Sequence, residues 1–404
     1  MKDNYYFDNA PNNATQARTC LPVHGQVLQK PWGEPWPVWS RTCDRSRNHD
    51  HSDRRMLGEF FGFGGDSNRV TFSLNATDSM NLALLGPLNP GDHMIITRVE
   101  HNAVWTCQSP RTRRGVNVSR IAADGQGYID PEDIRKAITP KTRVVVANHA
   151  SNVIGSLQNI EAIGKAIKDT QAIFIVEPAR RARGCRHKMD AWGNRILVFT
   201  GHKGLFGPMG IGGMIVREDI DIRPVKTGGT GVNSVSDFPP DEYPHRVEVG
   251  TPSIPGIAGL NAAQKWFAEL GPSTTGNGTD VSSHKAACDA AQDHIHSLEN
   301  QTAHRLIEAF QDIPGVVIYG PAEKQPRVAT LSINIGDLPA EQVGTMLDAD
   351  YGLCVRAGLH CAPVIHRDQG TLERNGTVRI APGYFTDDED IEQAIKGVSE
   401  IATL

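Results

Sequence analysis

The chain has 404 residues, of which 39% are hydrophobic and 22% are charged, with a formal net charge of −5. This is the composition of an ordinary soluble protein large enough for two or more domains, and it gives no sign of a nucleic-acid partner or of a membrane-spanning segment. The polar start MKDNYYFDNAPNN lacks the apolar core of a signal peptide, and seven sparse cysteines predict a reducing, cytoplasmic location rather than a disulfide framework.

Short apolar runs alternate with helix-like segments from residue 69 to residue 217. The predicted strands are 69–74, 93–97, 117–121, 143–148, 172–177, 196–201 and 212–217. The predicted helices between them are 76–86, 131–138 and 160–170. This alternation is typical of an α/β fold in which a mostly parallel sheet carries helices on both faces. Ligands of such sheets bind beyond the carboxyl ends of the strands.

The pattern changes after an irregular connection over 218–258 that is rich in Gly, Pro, Ser and Asp. Beyond it we predict a long helix and then a smaller α+β domain. The predicted elements are a helix over 281–312, strands over 316–320, 328–336, 353–358 and 377–381, and helices near 339–350 and 387–402. We therefore predict a large domain over 15–258 and a small domain over 259–404, on which residues 1–14 pack.

Polar side chains follow the predicted strands, where a parallel sheet binds its ligands. Asn75, Ala76 and Thr77 open a helix, and a helix start with a hydroxyl can bind phosphate, although a simple N-cap is the commoner use. The other polar residues after predicted strands are His101, Asn152, Glu177, Thr200, His202 and Lys203. Taken singly, each has a simple structural role, such as a turn residue or a buried acid with a cationic partner. Because the strand ends share one edge, we interpret them as one site.

Lys203 lies among several glycines in FTGHKGLFGPMGIGG, residues 199–213. A lysine near an acid and a phosphate-binding helix start is typical of a Schiff base with pyridoxal phosphate (PLP). This cofactor needs an amine for its aldehyde, a carboxylate for its pyridinium nitrogen and donors for its phosphate. A nucleotide site would also use a lysine and glycines, but the chain has no GxxxxGK[ST] loop, and no GxGxxG follows the first strand.

The order and spacing of the motifs resemble the class V aminotransferase family of fold-type I PLP enzymes, and within it the cysteine desulfurases. The resemblance covers nearly the whole chain. The segments that carry it are YYFDNA (5–10), SLNATDSMNLAL (73–84), VEHNAV (99–104), NHASNVIGSLQNI (148–160), FTGHKGLFGPMGIGG (199–213), GGTG (228–231), RVEVGTPSIPGIAGL (246–260), YGLCVRAGLHCAP (351–363) and GTVRIAPGYF (376–385). The resemblance implies a PLP-dependent transferase fold and a homodimer with the active site at the interface.

The resemblance also implies how the cofactor is held. Lys203 would bind PLP covalently and move protons, and His101 would lie against the pyridine ring and could act as acid or base. Glu177 takes the place of the family's pyridinium-binding aspartate. The remaining implied cofactor contacts are Ala76, Thr77, Asn152, Arg180, Thr200 and His202, with Thr251 reaching across the dimer interface.

On the substrate side, the resemblance implies contacts from Asn13, Asn152 and Arg379, the last as a bidentate pair with an α-carboxylate. Cys361, in RAGLHCAP, would be the sulfur-accepting nucleophile of the desulfurase group with an RxGxHC segment. The neighbouring basic residues Arg356 and His360 favour a thiolate there. The alternative for a free cysteine is a small buried apolar side chain.

Two regions depart from the family pattern. In EPARRARGCRHK (177–188), Glu177 is one methylene longer than the family's aspartate, and Arg180 replaces a glutamine beside the cofactor's phenolic oxygen. Arg180 either stabilises the phenolate or turns outward into a basic patch with Arg181, Arg183 and Arg186. Residues 30–55 have little family likeness. Their three tryptophans could line a pocket or an interface, and NHDHSD (48–53) is better explained as a polar helix start or loop than as a metal cluster, so no metal is expected.

The leading hypothesis is removal of sulfur from L-cysteine through a Cys361 persulfide, with alanine as product and a protein that could accept the sulfur. The departures at residues 177–180 and 30–55 motivate an alternative: a C–S β-lyase, or a decarboxylating or transaminating enzyme, that acts on a cysteine S-conjugate or a related amino acid. A degenerate binding or scaffold protein is a third hypothesis. The retention of Lys203, His101 and Arg379 counts against it.

Overall fold

The computed structural model describes residues 5–9, 41–108, 115–178, 186–232, 235–274, 281–322 and 324–404, and for residues 41–50 it describes the backbone alone. Two of the predicted site residues, Asn13 and Arg180, lie outside these ranges. The three tryptophans of the 30–55 segment lie outside them as well.

Strands and helices alternate along the described chain and are numbered here in chain order. The strands are β1 (Tyr5–Tyr6), β2 (Val70–Ser73), β3 (His93–Thr97), β4 (Asn117–Ile121), β5 (Thr142–Asn148), β6 (Ile173–Glu177), β7 (Ile196–Thr200), β8 (Gly212–Val216), β9 (Val316–Tyr319), β10 (Leu331–Ile335), β11 (Leu353–Cys354), β12 (Arg356–Gly358) and β13 (Thr377–Ile380). The helices are α1 (Arg41–Phe60), α2 (Ala76–Leu85), α3 (Asn102–Trp105), α4 (Pro131–Ala137), α5 (Ile160–Ile167), α6 (Met189–Trp192), α7 (Ile254–Thr274), α8 (His284–Gln311), α9 (Ala340–Tyr351), α10 (Pro363–Asp368) and α11 (Asp388–Ile401).

Within the described residues, seven strands form a large sheet in the order β2-β8-β7-β6-β5-β3-β4. Strand β8 runs antiparallel to its neighbours β2 and β7, and the other strand pairs of this sheet are parallel. The predicted α/β fold with a mostly parallel sheet is therefore confirmed. It follows that the carboxyl ends of β2, β3, β5, β6 and β7 lie at one edge of the sheet.

Side chains of the central strands alternate between two buried faces. On β7, Ile196 and Val198 pack in one core with Met80 of α2, whereas Leu197 and Phe199 pack in a second core with side chains of α1 and α7. Because both faces are covered, these strands are continuous apolar runs rather than alternating ones.

A smaller antiparallel sheet follows, in the order β12-β13-β10-β9. Side chains of α8, α9 and α11 pack in its core. Strand β1 pairs in parallel with β11, and Phe7 is buried in the same core. The predicted division of the chain at residue 258 falls inside α7, and it stays a prediction.

The sequence prediction lacks two long helices, α1 and α7. The start of α7 contains Pro255, Gly256 and Gly259, which indicate a turn, and the predicted irregular connection therefore runs five residues into the helix. A Cβ at Gly259 would lie 2.6 Å from a Pro208 side-chain atom, so glycine lets α7 pack against the loop that follows Lys203.

Two smaller predictions are also wrong. Residues 353–358 form two strands, β11 and β12, that belong to different sheets. The NHDHSD segment lies inside α1, not at a helix start or in a loop. Asp53, at its end, is buried and accepts a hydrogen bond from Asn261 of α7, which gives this polar segment a packing role.

Candidate active site

The sheet register brings polar residues from neighbouring strands together at the carboxyl edge. Gly212 of β8 lies opposite Ser73 of β2 on one side and opposite Thr200 of β7 on the other. Further along the edge, Asn148 of β5 lies opposite Glu177 of β6. The residues that the sequence predicts after these strands are thus collected by one sheet.

The start of α2 lies directly against this edge. Asn75 caps the helix, because its Oδ1 accepts a hydrogen bond from the Asp78 backbone N–H at 3.0 Å. Ala76 is buried and Thr77 is exposed in the first turn. A Cβ at Gly212 would lie 2.7 Å from the Asn75 Cα, so β8 can approach the helix start this closely only as glycine. The start of α2, whose first backbone N–H groups can bind an anion, therefore lies beside the end of β2 and the start of β8.

Lys203 lies on a tight turn after β7. Thr200 is buried, and its hydroxyl lies 3.2 Å from Nδ1 of His202. The turn closes through hydrogen bonds from Phe206 N–H to the Lys203 carbonyl, at 3.1 Å, and from Gly207 N–H to the Gly201 carbonyl, at 2.8 Å. The side chain of Lys203 is half-buried. This turn holds Lys203 at the edge of the sheet where the parallel strands end.

Two buried acids lie near the ends of β3 and β6. Glu177 is 4% exposed, and Glu100 is 1% exposed. Glu100 Oε1 accepts hydrogen bonds from the Thr97 hydroxyl at 2.7 Å and from the Asn148 N–H at 2.9 Å. Burial, with a smaller contribution from the negative charge of Glu177, raises the pKa of Glu100 to about 7. The sequence reasoning missed Glu100, although an acid directly before His101 in VEHNAV is a signal that could have found it.

His101 caps α3, and its Nδ1 accepts a hydrogen bond from the Ala103 backbone N–H at 3.1 Å. Because a backbone N–H can only donate, the proton of the neutral imidazole lies on Nε2. The next residue, Asn102, donates its backbone N–H to the Cys361 carbonyl at 2.8 Å. This bond joins the His101 segment of the large sheet to the segment that carries the predicted nucleophile.

Cys361 is exposed on a turn between β12 and α10. His360 and Cys361 adopt positive φ angles of 50° and 57°, a left-handed conformation that is costly for residues with a Cβ. The turn is held by His360 Nε2, which donates to the Thr377 carbonyl at 3.0 Å, and by Asn152 Nδ2, which donates to the His360 carbonyl at 2.6 Å. Contacts to distant segments therefore maintain the strained turn.

Arg379 is fully buried next to this turn. Its Nη1 donates to the Asn152 carbonyl, and its Nη2 contacts Asp8 Oδ1, both at 3.0 Å. Arg356 of β12 lies directly opposite Arg379 of β13, and the Nη2 of Arg356 lies 3.1 Å from Asp8 Oδ2. Burial lowers the pKa of Arg379, and Asp8 opposes that effect. Two arginines share one carboxylate, so the cluster carries one surplus positive charge and suits an anionic ligand.

The sequence reasoning did not single out Asp8, although it is the acid of YYFDNA. It could not have been found from spacing, because 371 positions separate it from Arg379. Only the pairing of β1 with β11 and the bridge between Asp8 and Ala381 carry this N-terminal segment to the arginines.

Thr251 is exposed. It lines a cavity of about 240 Å³ whose walls include Ser73, Leu74, Asp78 and Lys226. This cavity lies beside the start of α2. The predicted contact of Thr251 with the phosphate held by a second copy stays a prediction.

Two features of the described residues bear on other classes of protein. No group of three or more His, Cys, Asp or Glu side chains in the described ranges is arranged to hold a metal ion. Among the helices described, none is long and apolar enough to cross a membrane.

In the basic run after Glu177, Arg186 is partly exposed and pairs with Asp293, whereas His187 is fully buried among aromatic rings.

Comparison with known proteins gives a consistent result. The sequence profile of the family described as Aminotransferase class-V matches residues 54–394. The chain is 28% identical to a probable cysteine desulfurase from Methanothermobacter thermautotrophicus, over 83% of this chain and 80% of that protein. It is 30% identical to a cysteine desulfurase from Serratia proteamaculans, over 74% of this chain and 70% of that protein.

Solved structures agree with the sequence matches. The apo structure of a cysteine desulfurase from Thermococcus onnurineus NA1 matches with a TM-score of 0.87 at 26% identity, covering 99% of this chain and 95% of that one. The predicted resemblance and the fold-type I architecture are thereby confirmed. The family profile covers most of the chain, and the relatives named above are described as cysteine desulfurases or probable ones. The chain belongs to the class V aminotransferase family.

Proposed function

We propose that the protein removes sulfur from L-cysteine and holds it as a persulfide on Cys361, releasing alanine. One observation carries the proposal. The turn of the exposed Cys361 is hydrogen-bonded both to the segment of His101 and to Asn152, whose carbonyl accepts from the buried Arg379. A sulfur-accepting thiol, a candidate acid–base group and a carboxylate-binding arginine thus share one network. The relatives named cysteine desulfurases support the same reaction.

The cofactor of this proposal is pyridoxal phosphate bound to Lys203, and the residues present fit it. The donor set is complete: a half-buried amine, a buried carboxylate at Glu177, and a helix start at Thr77 for a phosphate. A glycine at position 212 also fits a phosphate site at the start of α2, because any Cβ there would clash with Asn75 and push β8 away from the helix start. When bound, the cofactor supplies an electron sink for bond breaking at the substrate's carbon atoms.

The protein's own groups bind and orient the amino acid. Arg379 and Arg356 share Asp8, and the α-carboxylate of the substrate neutralises their surplus positive charge. Lys203 is the base that moves a proton at the α-carbon, since it lies on the closed turn at the sheet edge. His101 is oriented by its cap bond to Ala103, which places the proton of the neutral ring on Nε2.

The sulfur step balances without another reactant. The Cys361 thiolate attacks the substrate sulfur, an S–S bond forms, and the C–S bond of the substrate breaks. The electron pair of the broken bond stays with the carbon skeleton, which takes up a proton and leaves as alanine. Cysteine and the Cys361 thiol are thus converted to alanine and a Cys361 persulfide, and an acceptor protein could then take the sulfur.

The protein is further proposed to act as a cytoplasmic homodimer. Leu74 is 63% exposed, and Met209 is 65% exposed. Leu74 lines the same cavity as Thr251, and so does Gly210, the residue after Met209. Exposed apolar side chains beside the predicted phosphate-binding helix start are what a subunit interface there would cover. Sedimentation velocity of the protein tests the dimer.

The experiment that tests the proposed function compares two substrates. The purified protein with PLP is incubated with L-cysteine or with a cysteine S-conjugate, and alanine, pyruvate and sulfide are measured. Desulfuration gives alanine from cysteine and little pyruvate. Pyruvate from the S-conjugate, without alanine from cysteine, would favour the C–S β-lyase instead.

A further inference from the structure

Asn152 lies between the carboxylate-binding arginine and the nucleophile, and it touches both. Its backbone carbonyl accepts from Arg379 Nη1 at 3.0 Å, and its side-chain Nδ2 donates to the His360 carbonyl at 2.6 Å. The residue is 2% exposed, so both contacts are shielded from water. One buried residue therefore connects two groups that belong to different parts of the proposed reaction.

The orientation of the Asn152 amide follows from its surroundings. Its Oδ1 is buried and accepts no hydrogen bond from the residues that the structure describes. Exchanging Oδ1 and Nδ2 would place two oxygen atoms against each other at the His360 carbonyl, which is unfavourable. Asn152 Nδ2 therefore donates to the turn, while the buried Oδ1 accepts no hydrogen bond from the described residues, which is unfavourable.

The turn requires such support. His360 and Cys361 both adopt left-handed backbone angles, which residues with a Cβ adopt only where the surroundings impose them. Further contacts that hold the turn include the Asn102 N–H to the Cys361 carbonyl and His360 Nε2 to Thr377. Asn152 differs from Asn102 and Thr377 in that its backbone carbonyl also accepts a hydrogen bond from Arg379.

We propose that Asn152 is a positioning residue that couples occupancy of the carboxylate site at Arg379 to the placement of Cys361. A substrate carboxylate that fixes Arg379 also fixes the Asn152 carbonyl, and the Asn152 amide then holds the His360–Cys361 turn in place. The inference rests on the proposed function, because it takes Arg379 as the carboxylate site and Cys361 as the nucleophile. The inference adds that hydrogen bonds through Asn152 connect Arg379 to the Cys361 turn.

Hydrogen exchange tests this link without relying on turnover. Amide exchange is followed by mass spectrometry in peptides that cover 98–106 and 357–366 of the PLP-loaded protein, with and without L-alanine. The variants are Asn152→Ala and the control Asn334→Ala, a buried asparagine whose Nδ2 donates to the Gly376 carbonyl instead of to the turn. Asn152→Ser replaces Asn152→Ala if the latter does not fold, because a serine hydroxyl is too short to reach the His360 carbonyl.

In Asn152→Ala we expect exchange in both peptides to rise about three- to tenfold, as for the loss of one buried hydrogen bond, and no such rise in Asn334→Ala. L-Alanine should slow exchange in the wild type and not in Asn152→Ala. The proposal is overturned by unchanged exchange in Asn152→Ala, by an equal rise in the control, or by equal slowing with alanine. It is also overturned if alanine changes the cofactor absorbance of the wild type but not its exchange.

The proposed function can fail separately. If the wild type forms no alanine from L-cysteine while the exchange pattern is as expected, the desulfuration proposal is wrong and the positioning role of Asn152 stands. If alanine forms and the exchange is the same in all variants, the desulfuration stands and the link through Asn152 is wrong.

Discussion

The two halves of the proposed site are built in different ways. The sheet edge around Thr200, Lys203 and Glu177 follows from the register of neighbouring strands and from glycines that allow close packing. The Cys361 turn is instead held in a strained conformation by hydrogen bonds to segments far away in the chain. A parallel sheet can gather ligand groups by topology alone, whereas the nucleophile depends on a few specific polar contacts.

This difference has a consequence for mutation. Changes at the sheet edge should affect the cofactor, and changes at the turn should affect sulfur transfer while the cofactor stays bound.

Lys203→Ala should abolish both the yellow colour of the PLP-loaded protein and its activity. The lysine is the proposed covalent attachment point and proton carrier, so alanine formation should fall by about a thousandfold or more. Absorbance in the near-visible range and alanine production are the measurements. Borohydride reduction of the wild type should attach the cofactor to Lys203, and an adduct on another lysine would refute the assignment.

Cys361→Ser should lower alanine formation from L-cysteine by roughly a hundredfold or more, because a serine hydroxyl cannot accept sulfur as a thiolate does. Cysteine should still bind and change the cofactor absorbance, since the sheet edge is intact. Cys354→Ser is the matched control, because Cys354 is a half-buried cysteine whose thiol pKa is raised by burial. Full activity of Cys361→Ser on any sulfur substrate would favour the β-lyase hypothesis.

Glu177→Gln should retain much of the cofactor and lose the negative partner of its ring nitrogen. We expect turnover to fall about tenfold to a hundredfold, equivalent to roughly 1.4–2.7 kcal/mol in the barrier, with a much smaller loss of occupancy. Cofactor content and turnover are measured on the same sample. Equal turnover in wild type and variant would show that Glu177 does not face the ring.

The stability of the fold should decrease as the pH falls from about 6.5 towards 4. Burial lowers the pKa of His149, with a contribution from His296, and that of His366, each to about 4. The unfolded chain therefore binds protons in this range that the folded chain excludes, and each histidine costs at most about 3 kcal/mol of the free energy of unfolding. Urea unfolding near pH 7 and about pH 5 measures the change, and an increase in stability at the lower pH would contradict it.

The titration of the Glu100 carboxyl should oppose this loss of stability at lower pH. Its pKa is raised to about 7, so the folded chain binds a proton there before the unfolded chain does, and stability rises as the pH falls from about 7 towards 4.5. Glu100→Gln should therefore make the overall loss of stability steeper. An identical pH dependence in wild type and Glu100→Gln would show that the Glu100 carboxyl is not buried as described.

Much of the sheet could be predicted from the sequence, and parts of the site could not. Apolar runs such as 144–147 and 196–199 are buried on both faces, so these strands are visible in the chain as continuous apolar runs. Helix α7 is different, because its Gly259 serves close packing against Pro208, which only the tertiary structure discloses. Its apolar residues Ile257, Leu260 and Ala263 recur at helical spacing and could have indicated it.

In the site, the ends of the predicted strands locate Thr200, Lys203 and Glu177, because residues at the ends of parallel strands lie at the carboxyl edge of the sheet, where ligands bind. Asp8 has no local signal, since its role depends on the pairing of the N-terminal strand with β11. The contact made by the side chain of Asn152 has no local sequence signal either. Its link to His360 joins residues 208 positions apart and depends on contacts between the loop after β5 and the small sheet, such as the Ser332 hydroxyl that donates to the Val153 carbonyl.

The most direct test of the central claim is the mass of the Cys361 peptide after the PLP-loaded protein has reacted once with L-cysteine. We predict that this peptide gains one sulfur atom, in an amount that matches the alanine released, and that a thiol reductant removes it. Peptides with the other cysteines should be unchanged. Alanine release with no added sulfur on Cys361, or added sulfur on another cysteine, would contradict the account.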